Sequence, residues 1–160
     1  MQNYEGPKKI LFLCTGNSCR SQMAEGWTRH LRGDEYEAFS AGTEKHGLNP
    51  SAVKVMAEAG VDISRQRSKT VDELQTEAFD TVVTVCGHAH ERCPVLPGRG
   101  RVVHAGFDDP PKMAMELANK GASLKEKLEC YRRVRDEIRR FVASLPESLD
   151  RAGGSHYEQS

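Results

Sequence analysis

Short apolar runs alternate along this chain with segments in which apolar residues recur every three or four positions. The runs are typical of buried parallel strands and the recurring segments of amphipathic helices. Four strands are predicted, over about residues 9–13, 37–41, 81–85 and 101–104. The pattern therefore indicates an α/β fold: a single three-layer domain with a four-stranded parallel sheet flanked by helices.

Several of the predicted helices carry recognisable end signals. Asn49 and Pro50 supply an N-cap and a proline in the first turn, while Ser123 and Glu126 form a capping-box pattern. The helices are predicted over about 19–31 and 50–59, in a short helix opened by the capping-box pattern at Thr70 to Glu73, and over about 123–144. In the last of these, the core-facing stripe comprises Leu124, Leu128, Tyr131, Val134, Ile138, Phe141 and Leu145.

Length and charge narrow the class of protein. The 160 residues suffice for one domain, predicted over 8–146 between a flexible N-terminus (1–7) and a flexible C-terminal tail (147–160). The 23 basic and 23 acidic residues leave no positive excess for binding nucleic acid. No apolar run resembles a membrane span or a signal peptide. We therefore expect a cytoplasmic monomer that binds neither nucleic acid nor membrane.

The first predicted strand leads directly into the segment with the most chemistry. After the apolar run 10–13 comes the segment Cys14-Thr15-Gly16-Asn17-Ser18-Cys19-Arg20-Ser21, just before a helix. Backbone N–H groups of such a loop converge on an anion, and the helix adds its positive dipole end. Arg20 offers a planar fork of donors to a tetrahedral oxyanion. The same field is expected to favour the Cys14 thiolate, which makes Cys14 the predicted nucleophile.

The remaining cysteines of the loop and of the last helix are given lesser roles. Cys19 falls in the first helical turn and is expected to point away from the anion. The alternative for Cys14 and Cys19 is that both are small buried residues near a helix start. Cys130 lies between core positions of the last helix and is expected to fill space. His46 and His104 belong to no motif and receive no role.

A second group of reactive side chains follows the third predicted strand. Cys86, His88, His90 and Cys93 could ligate zinc, but their spacing does not match the common structural zinc patterns. Alternatively, Cys86 and Cys93 could exchange thiolates in a redox relay, aided by the backbone freedom of Gly87. Because parallel strands end at the same edge of a sheet, Cys86 is expected to lie near Cys14.

A carboxylic acid is predicted to complete the site. Asp108 and Asp109 precede two prolines in a turn-prone loop after the last predicted strand. An isolated Asp-Pro pair usually only begins a turn. Near a trapped anion, however, such an acid could protonate a departing oxygen.

Three features together resemble the thioredoxin-coupled arsenate reductases, which share the fold of low-molecular-weight protein tyrosine phosphatases. They are the loop from Cys14 to Ser21, the pair Cys86 and Cys93 with six residues between them, and the segment 106–110. The similarity covers about 8–145. It implies strand order 2-1-3-4, arsenate as substrate with phosphate or sulfate competing, thioredoxin as reductant, and no tightly bound cofactor.

The resemblance also implies roles for single residues. Cys14 attacks arsenate held by the loop and Arg20, Asp109 assists the departing oxygen, Cys86 attacks Cys14, and Cys93 attacks Cys86. Thioredoxin then reduces the Cys86–Cys93 disulfide. The implied substrate-binding residues are Thr15, Gly16, Asn17, Ser18, Cys19, Arg20 and Ser21, with Ser21 bonded to the thiolate and Asn17 holding the loop.

Some members of this group bind potassium near the loop through Asn, Glu, Ser and Asp side chains. Asn17, Glu25 and Ser40 match that set, but Lys69 stands where those members carry the aspartate. A cation beside an ammonium group is electrostatically unfavourable. No potassium site is therefore expected, and the Lys69 ammonium is predicted to take the place of the ion.

Two other functions are compatible with parts of the sequence. A tyrosine phosphatase would use only Cys14, Arg20 and Asp109, and weak phosphatase activity is expected in any case because both reactions begin with the same attack. Related phosphatases usually carry aromatic residues after the Asp-Pro, whereas Pro111 and Lys112 follow here. The other alternative is a non-enzymatic Cys/His module that binds zinc or arsenic.

Overall fold

The computed structural model describes residues 6–74, 77–87, 99–152 and 154–158. Five strands and five numbered helices occur in these ranges, together with a 3-10 turn at Val71–Leu74. In chain order the elements are β1 (Lys8–Cys14), α1 (Arg20–Arg32), β2 (Tyr36–Gly42), α2 (Pro50–Glu58), β3 (Thr81–Thr84), β4 (Arg99–His104), α3 (Pro110–Ala118), α4 (Leu124–Ala143), α5 (Glu147–Ala152) and β5 (Gly154–Glu158).

The strands form one sheet in the order β2-β1-β3-β4-β5. The first four are parallel, which confirms the predicted order 2-1-3-4, and β5 pairs antiparallel with β4 at the edge. The inner strand β1 is apolar from Ile10 onward, and Ile10, Leu11, Phe12 and Leu13 are almost inaccessible to solvent. Such an uninterrupted apolar run is expected where helices cover both faces of a parallel sheet.

The predicted helix ends are present in the structure. The Asn49 side chain accepts hydrogen bonds from the backbone N–H groups of Ser51 and Ala52, at 2.8 and 3.2 Å. Ser123 and Glu126 form the predicted capping box before α4. In the stripe of α4, Phe141 is partly buried and these other members are buried: Leu128, Tyr131, Val134 and Ile138. The prediction for Leu124 was wrong, because this first residue of the helix is 65% exposed.

Helix α3 begins where the sequence predicts a turn-prone loop. Asp109 occupies its N-cap position and Pro110 its first turn. Proline is favoured there because its φ angle suits a helix and the missing N–H would have no intrahelical partner. Met113 and Ala114 pack against the core, which fixes the helix in place. The helix therefore positions Asp109 at its N-terminal end.

The structure also differs from the predicted flexible tail over 147–160. Residues 147–152 form α5, in which Leu149 is only 3% exposed, and 154–158 form β5. The Ser148 hydroxyl donates to the Phe141 carbonyl at 2.7 Å, and Asp150 pairs with Arg101 at 2.7 Å. β5 pairs with the otherwise open edge of β4, where unpaired backbone groups favour another strand. In the ranges that the structure describes, no helix is both long and apolar enough to span a membrane.

Candidate active site

The segment between β1 and α1 forms a tight loop around the Cys14 thiol. Asn17 has a φ of 46°, in the left-handed region that asparagine tolerates better than most residues. Its side-chain amide donates to the Ser21 hydroxyl at 2.9 Å, and its Oδ1 accepts from the Gln22 side chain at 3.0 Å. The Lys69 backbone N–H donates to the same Oδ1 at 2.8 Å. Asn17 therefore connects the loop to both α1 and the segment before the 3-10 turn.

The Cys14 sulfur is surrounded by hydrogen-bonding groups although it is buried. The Ser21 hydroxyl lies 2.8 Å from it, and the Asn17 backbone N–H donates to it at 3.2 Å. Burial raises the pKa of the Cys14 thiol, whereas these hydrogen bonds and the charge of Arg20 act to lower that pKa. These groups act in the predicted direction, toward the thiolate, but the net shift of the Cys14 pKa is upward. The reason is the cost of desolvating a thiolate.

Arg20 is oriented by the chain that follows β4. One guanidinium nitrogen, Nη1, donates to the Phe107 carbonyl at 2.9 Å, and Nη2 lies 3.7 Å from the Asp109 carboxylate. Arg20 and Asp109 are 89 positions apart, and the fold brings them to one cavity. The Arg20 guanidinium, a cation, and the Asp109 carboxyl, a potential proton donor, therefore belong to residues that line the same cavity.

A cavity of about 280 Å³ opens above the Cys14 sulfur. Its described lining consists of Cys14, Thr15, Gly16, Ser18, Cys19, Arg20, His46, Asp109 and Pro111. The lining includes most of the residues predicted to bind substrate, together with His46, which received no role from the sequence. Cys19 also borders the cavity, and burial raises the pKa of its thiol. That its side chain points away from the anion stays a prediction.

Cys86 lies beside the anion loop, as its position after a parallel strand predicts. β3 pairs with β1 in the sheet, and the Val85 N–H donates to the Leu13 carbonyl at 2.9 Å. The ends of β1 and β3 are therefore adjacent, and Cys86 Sγ lies 3.3 Å from the Thr15 hydroxyl. Cys86 is 7% exposed. His88, His90 and Cys93 lie outside the described residues.

The known family that matches this chain covers most of its length. The match to the low molecular weight phosphotyrosine protein phosphatases spans residues 9–154. The chain belongs to this family. The matched range includes the anion loop, Cys86, Asp109 and all of the parallel sheet except Lys8, the first residue of β1.

Individual members of the phosphatase family that resemble this chain include reductases. An arsenate reductase of Halalkalibacterium halodurans is 51% identical over 141 residues, which are 88% of this chain and 96% of the relative. A solved arsenate reductase in the phosphate binding state is 30% identical, with a TM-score of 0.69 and coverage of 89% and 98% of the two chains. A low molecular weight protein tyrosine phosphatase from T. tengcongensis is 29% identical, with a TM-score of 0.66 and coverage of 89% and 99%.

Lys69, whose backbone N–H donates to Asn17 of the anion loop, also belongs to a buried ionic cluster. The Ser40 hydroxyl donates to Glu25 Oε1 at 2.6 Å, and the Lys69 ammonium lies 3.9 Å from the same oxygen. The side chains of Glu25 and Lys69 are 7% and 11% exposed. Burial lowers the pKa of Lys69, and the Glu25 carboxylate opposes that shift. Within the ranges that are described, no group of three or more His, Cys, Asp or Glu residues could hold a metal ion.

The segment after β2 follows the anion loop closely. Backbone N–H groups of Thr43, Glu44 and His46 donate to carbonyls of the loop at 2.8–3.1 Å. A β-carbon at Gly42 would lie 2.3 Å from the Glu44 carbonyl oxygen and 2.5 Å from that of Thr15. Only glycine fits where the two backbones approach so closely. The glycine at the end of a predicted strand was the one sequence signal for this contact.

Proposed function

We propose that this chain is an arsenate reductase that converts arsenate to arsenite in arsenic detoxification, using a relay from Cys14 to Cys86 to Cys93. The observation that carries the proposal is the Cys86 thiol 3.3 Å from Thr15 of the anion loop. Hydrolysis of a phosphate ester needs no second thiol at that place. The 51% identical arsenate reductase supports the same function. We further propose that the chain acts as a monomer in the cytoplasm.

The first step uses the anion loop and its two flanking charged groups. Loop N–H groups and the Arg20 guanidinium bind the oxyanion, and the Cys14 sulfur attacks arsenic. An S–As bond forms while an As–O bond breaks. Asp109 delivers the proton with which that oxygen leaves as water. The hydrogen bonds of Ser21 and Asn17 to the sulfur stabilise the thiolate that begins this step.

The second step is the reduction. The Cys86 thiolate attacks the Cys14 sulfur, forming an S–S bond as the S–As bond breaks. The electron pair of the S–As bond stays with arsenic, which passes from As(V) to As(III) and leaves as arsenite. The two sulfurs together lose the two electrons that arsenic gains. The Thr15 hydroxyl beside Cys86 supports this role by offering a hydrogen bond to the attacking thiolate.

The third step restores the nucleophile. Cys93 attacks the Cys86 sulfur, the Cys14–Cys86 bond breaks, and Cys14 leaves as a thiolate. The role of Cys93 rests on its place in the sequence, six residues beyond Cys86. A thioredoxin dithiol then reduces the Cys86–Cys93 disulfide. Because thiols carry the electrons throughout, the relay needs no tightly bound cofactor.

A second activity shares the first step. Cys14, Arg20 and Asp109 line one cavity, and this set is sufficient to cleave a phosphate ester. We therefore propose weak phosphatase activity toward aryl phosphates alongside arsenate reduction. If the chain were instead a module that binds zinc or arsenic, the purified protein would contain stoichiometric metal, which direct metal analysis measures.

The test is arsenate-dependent NADPH oxidation in the presence of thioredoxin and thioredoxin reductase. We expect Cys86→Ser to abolish arsenate turnover and to retain hydrolysis of an aryl phosphate, whereas Cys14→Ser abolishes both. Cys130→Ser, in the half-exposed part of α4, is the matched control and should retain both activities. Full arsenate reduction by Cys86→Ser would overturn the relay.

A further inference from the structure

The ring of His46 lies directly on the backbone of the anion loop. The His46 N–H donates to the Gly16 carbonyl at 2.9 Å, which fixes the residue against the loop. A β-carbon at Gly16 would lie 2.3 Å from His46 Nδ1 and 2.7 Å from its Cγ. The ring thus occupies the space that a side chain on the loop would take. It also forms part of the cavity lining above Cys14.

Glu44 determines the tautomer of the neutral His46 ring. His46 Nε2 lies 2.9 Å from Glu44 Oε1. A carboxylate can only accept a hydrogen bond, so Nε2 is the donor. In the neutral imidazole the other nitrogen is then an acceptor. That nitrogen, Nδ1, is the ring atom nearest to the loop residue Gly16.

The wall that contains His46 suits a small oxyanion better than an ester. The nine described lining residues include no Phe, Tyr or Trp, so among them only the polar imidazole of His46 offers a ring to an aryl group. A free hydrogen arsenate or hydrogen phosphate carries a hydroxyl that can donate to an acceptor nitrogen. A dianionic aryl ester has no such hydroxyl at phosphorus.

We propose that His46 is a specificity-determining residue that selects the free inorganic oxyanion over its esters. It does so by accepting a hydrogen bond from the oxyanion hydroxyl at Nδ1 and by keeping the adjacent wall polar. The part of this proposal that concerns arsenate reduction rests on the proposed function, because it assumes that arsenate is reduced in this cavity. Glu44 acts through His46 and is therefore a positioning residue.

The test compares two substrates in variants of His46. In His46→Phe we expect kcat/KM for arsenate reduction to fall about tenfold, equivalent to about 1.4 kcal/mol, while kcat/KM for an aryl phosphate holds or rises. His46→Leu removes the acceptor nitrogen without adding an aromatic ring. It should lower the ratio of kcat/KM for arsenate to kcat/KM for the aryl phosphate in the same way. His46→Gln offers an amide oxygen as acceptor and should keep the ratio within about threefold, as one retained hydrogen bond implies.

The controls separate specificity from structure. Lys45→Gln changes a neighbouring exposed charge outside the cavity lining and should leave the substrate ratio unchanged. Glu44→Gln should shift the ratio toward the ester, by less than His46→Phe does. If the Phe and Leu variants change both substrates by the same factor, or change neither, the proposal is overturned.

A second readout distinguishes failure of this proposal from failure of the reductase function. Inorganic phosphate competes with an aryl phosphate for the cavity, and its inhibition constant can be measured without any reduction step. We expect His46→Phe and His46→Leu to raise that constant about tenfold relative to the KM of the ester. An unchanged ratio would refute the role of His46 whether or not the wild-type protein reduces arsenate.

Discussion

The Thr15 hydroxyl oxygen lies 3.3 Å from the Cys86 sulfur, although 71 positions separate the two residues in the chain. Thr15 belongs to the anion loop after β1, and Cys86 follows β3, so the contact joins the ends of two neighbouring parallel strands. Thr15, a residue that lines the oxyanion cavity, therefore also contacts the second thiol of the proposed relay through its hydroxyl. Thr15 thus connects the loop proposed to bind the substrate with the thiol proposed to carry out the redox step.

Removing that hydroxyl should slow the reduction more than the first attack. In Thr15→Val, a side chain of similar shape that lacks the hydroxyl, we expect single-turnover arsenite release to become roughly 3- to 10-fold slower relative to aryl phosphate hydrolysis, as loss of one hydrogen bond implies. Thr15→Ser keeps the hydroxyl and should retain the wild-type ratio. Equal losses in both reactions would show that Thr15 acts on Cys14 rather than on Cys86.

The Ser21 hydroxyl should govern the pH dependence of the first step. Burial raises the pKa of Cys14, and the Ser21 hydrogen bond opposes this, so Ser21→Ala should raise that pKa further. A higher pKa leaves less thiolate at neutral pH. The rising limb of the kcat/KM profile should therefore move to higher pH, with activity at neutral pH roughly tenfold lower and recovered in base.

Alkylation of Cys14 by iodoacetamide measured against pH checks the same shift without substrate. Here too the rate should rise at higher pH in Ser21→Ala than in the wild type. An activity loss that is uniform across the pH range would contradict this account, because it would mean that Ser21 only holds the loop.

The Lys69 ammonium should make the protein independent of potassium. It lies 3.9 Å from the buried Glu25 carboxylate and donates to the Arg67 carbonyl at 2.8 Å. In Lys69→Ala, Glu25 loses that partner, and we expect the free energy of unfolding to fall by about 1–3 kcal/mol. Denaturant unfolding with potassium in place of sodium should restore part of this loss in the variant and change nothing in the wild type.

The matched control for Lys69 is Lys45→Ala, which removes an exposed lysine from an ion pair with Glu73. It should cost less than about 1 kcal/mol, as exposed ion pairs usually do. If the wild-type protein itself gains stability or turnover from potassium, then Lys69 does not take the place of the ion.

The packing of α5 should contribute to the stability of the whole domain. Leu149 is 3% exposed in α5, and Leu149→Ala leaves a cavity there that costs about 2–4 kcal/mol. In a chain of this length, that cost lowers the melting temperature by roughly 5–15 °C. Thermal unfolding monitored by circular dichroism measures the shift. Arg151→Ala, an exposed position of the same helix, should change little.

The sequence identified the parts of the site that depend on local pattern. The loop from Cys14 to Arg20 was recognisable because a strand, a glycine-containing turn and a helix follow one another directly. The proximity of Cys86 to that loop followed from the rule that parallel strands end at one edge. The proposed role of Cys93 remains a prediction from sequence.

Other parts depend on contacts that local pattern does not reveal. Asp109 and Pro110 read equally well as a turn or as the start of α3, and packing of Met113 against the core decides between them. β5 exists through pairing with the edge of β4, a partner far away in the chain. His46 reaches the cavity only because the segment after β2 runs back along the anion loop.

The close backbone approach at Gly42 affects the results expected from a mutational scan of this protein. A β-carbon there would collide with backbone oxygens of Thr15 and Glu44, neither of which can rotate away. Every substitution at Gly42 should therefore displace the loop and score as severely as the loss of Cys14, although glycine contributes no reactive group. A map of positions that tolerate no substitution will thus include both reactive residues such as Cys14 and the close backbone approach at Gly42. Measuring whether each variant still folds distinguishes the two classes of position.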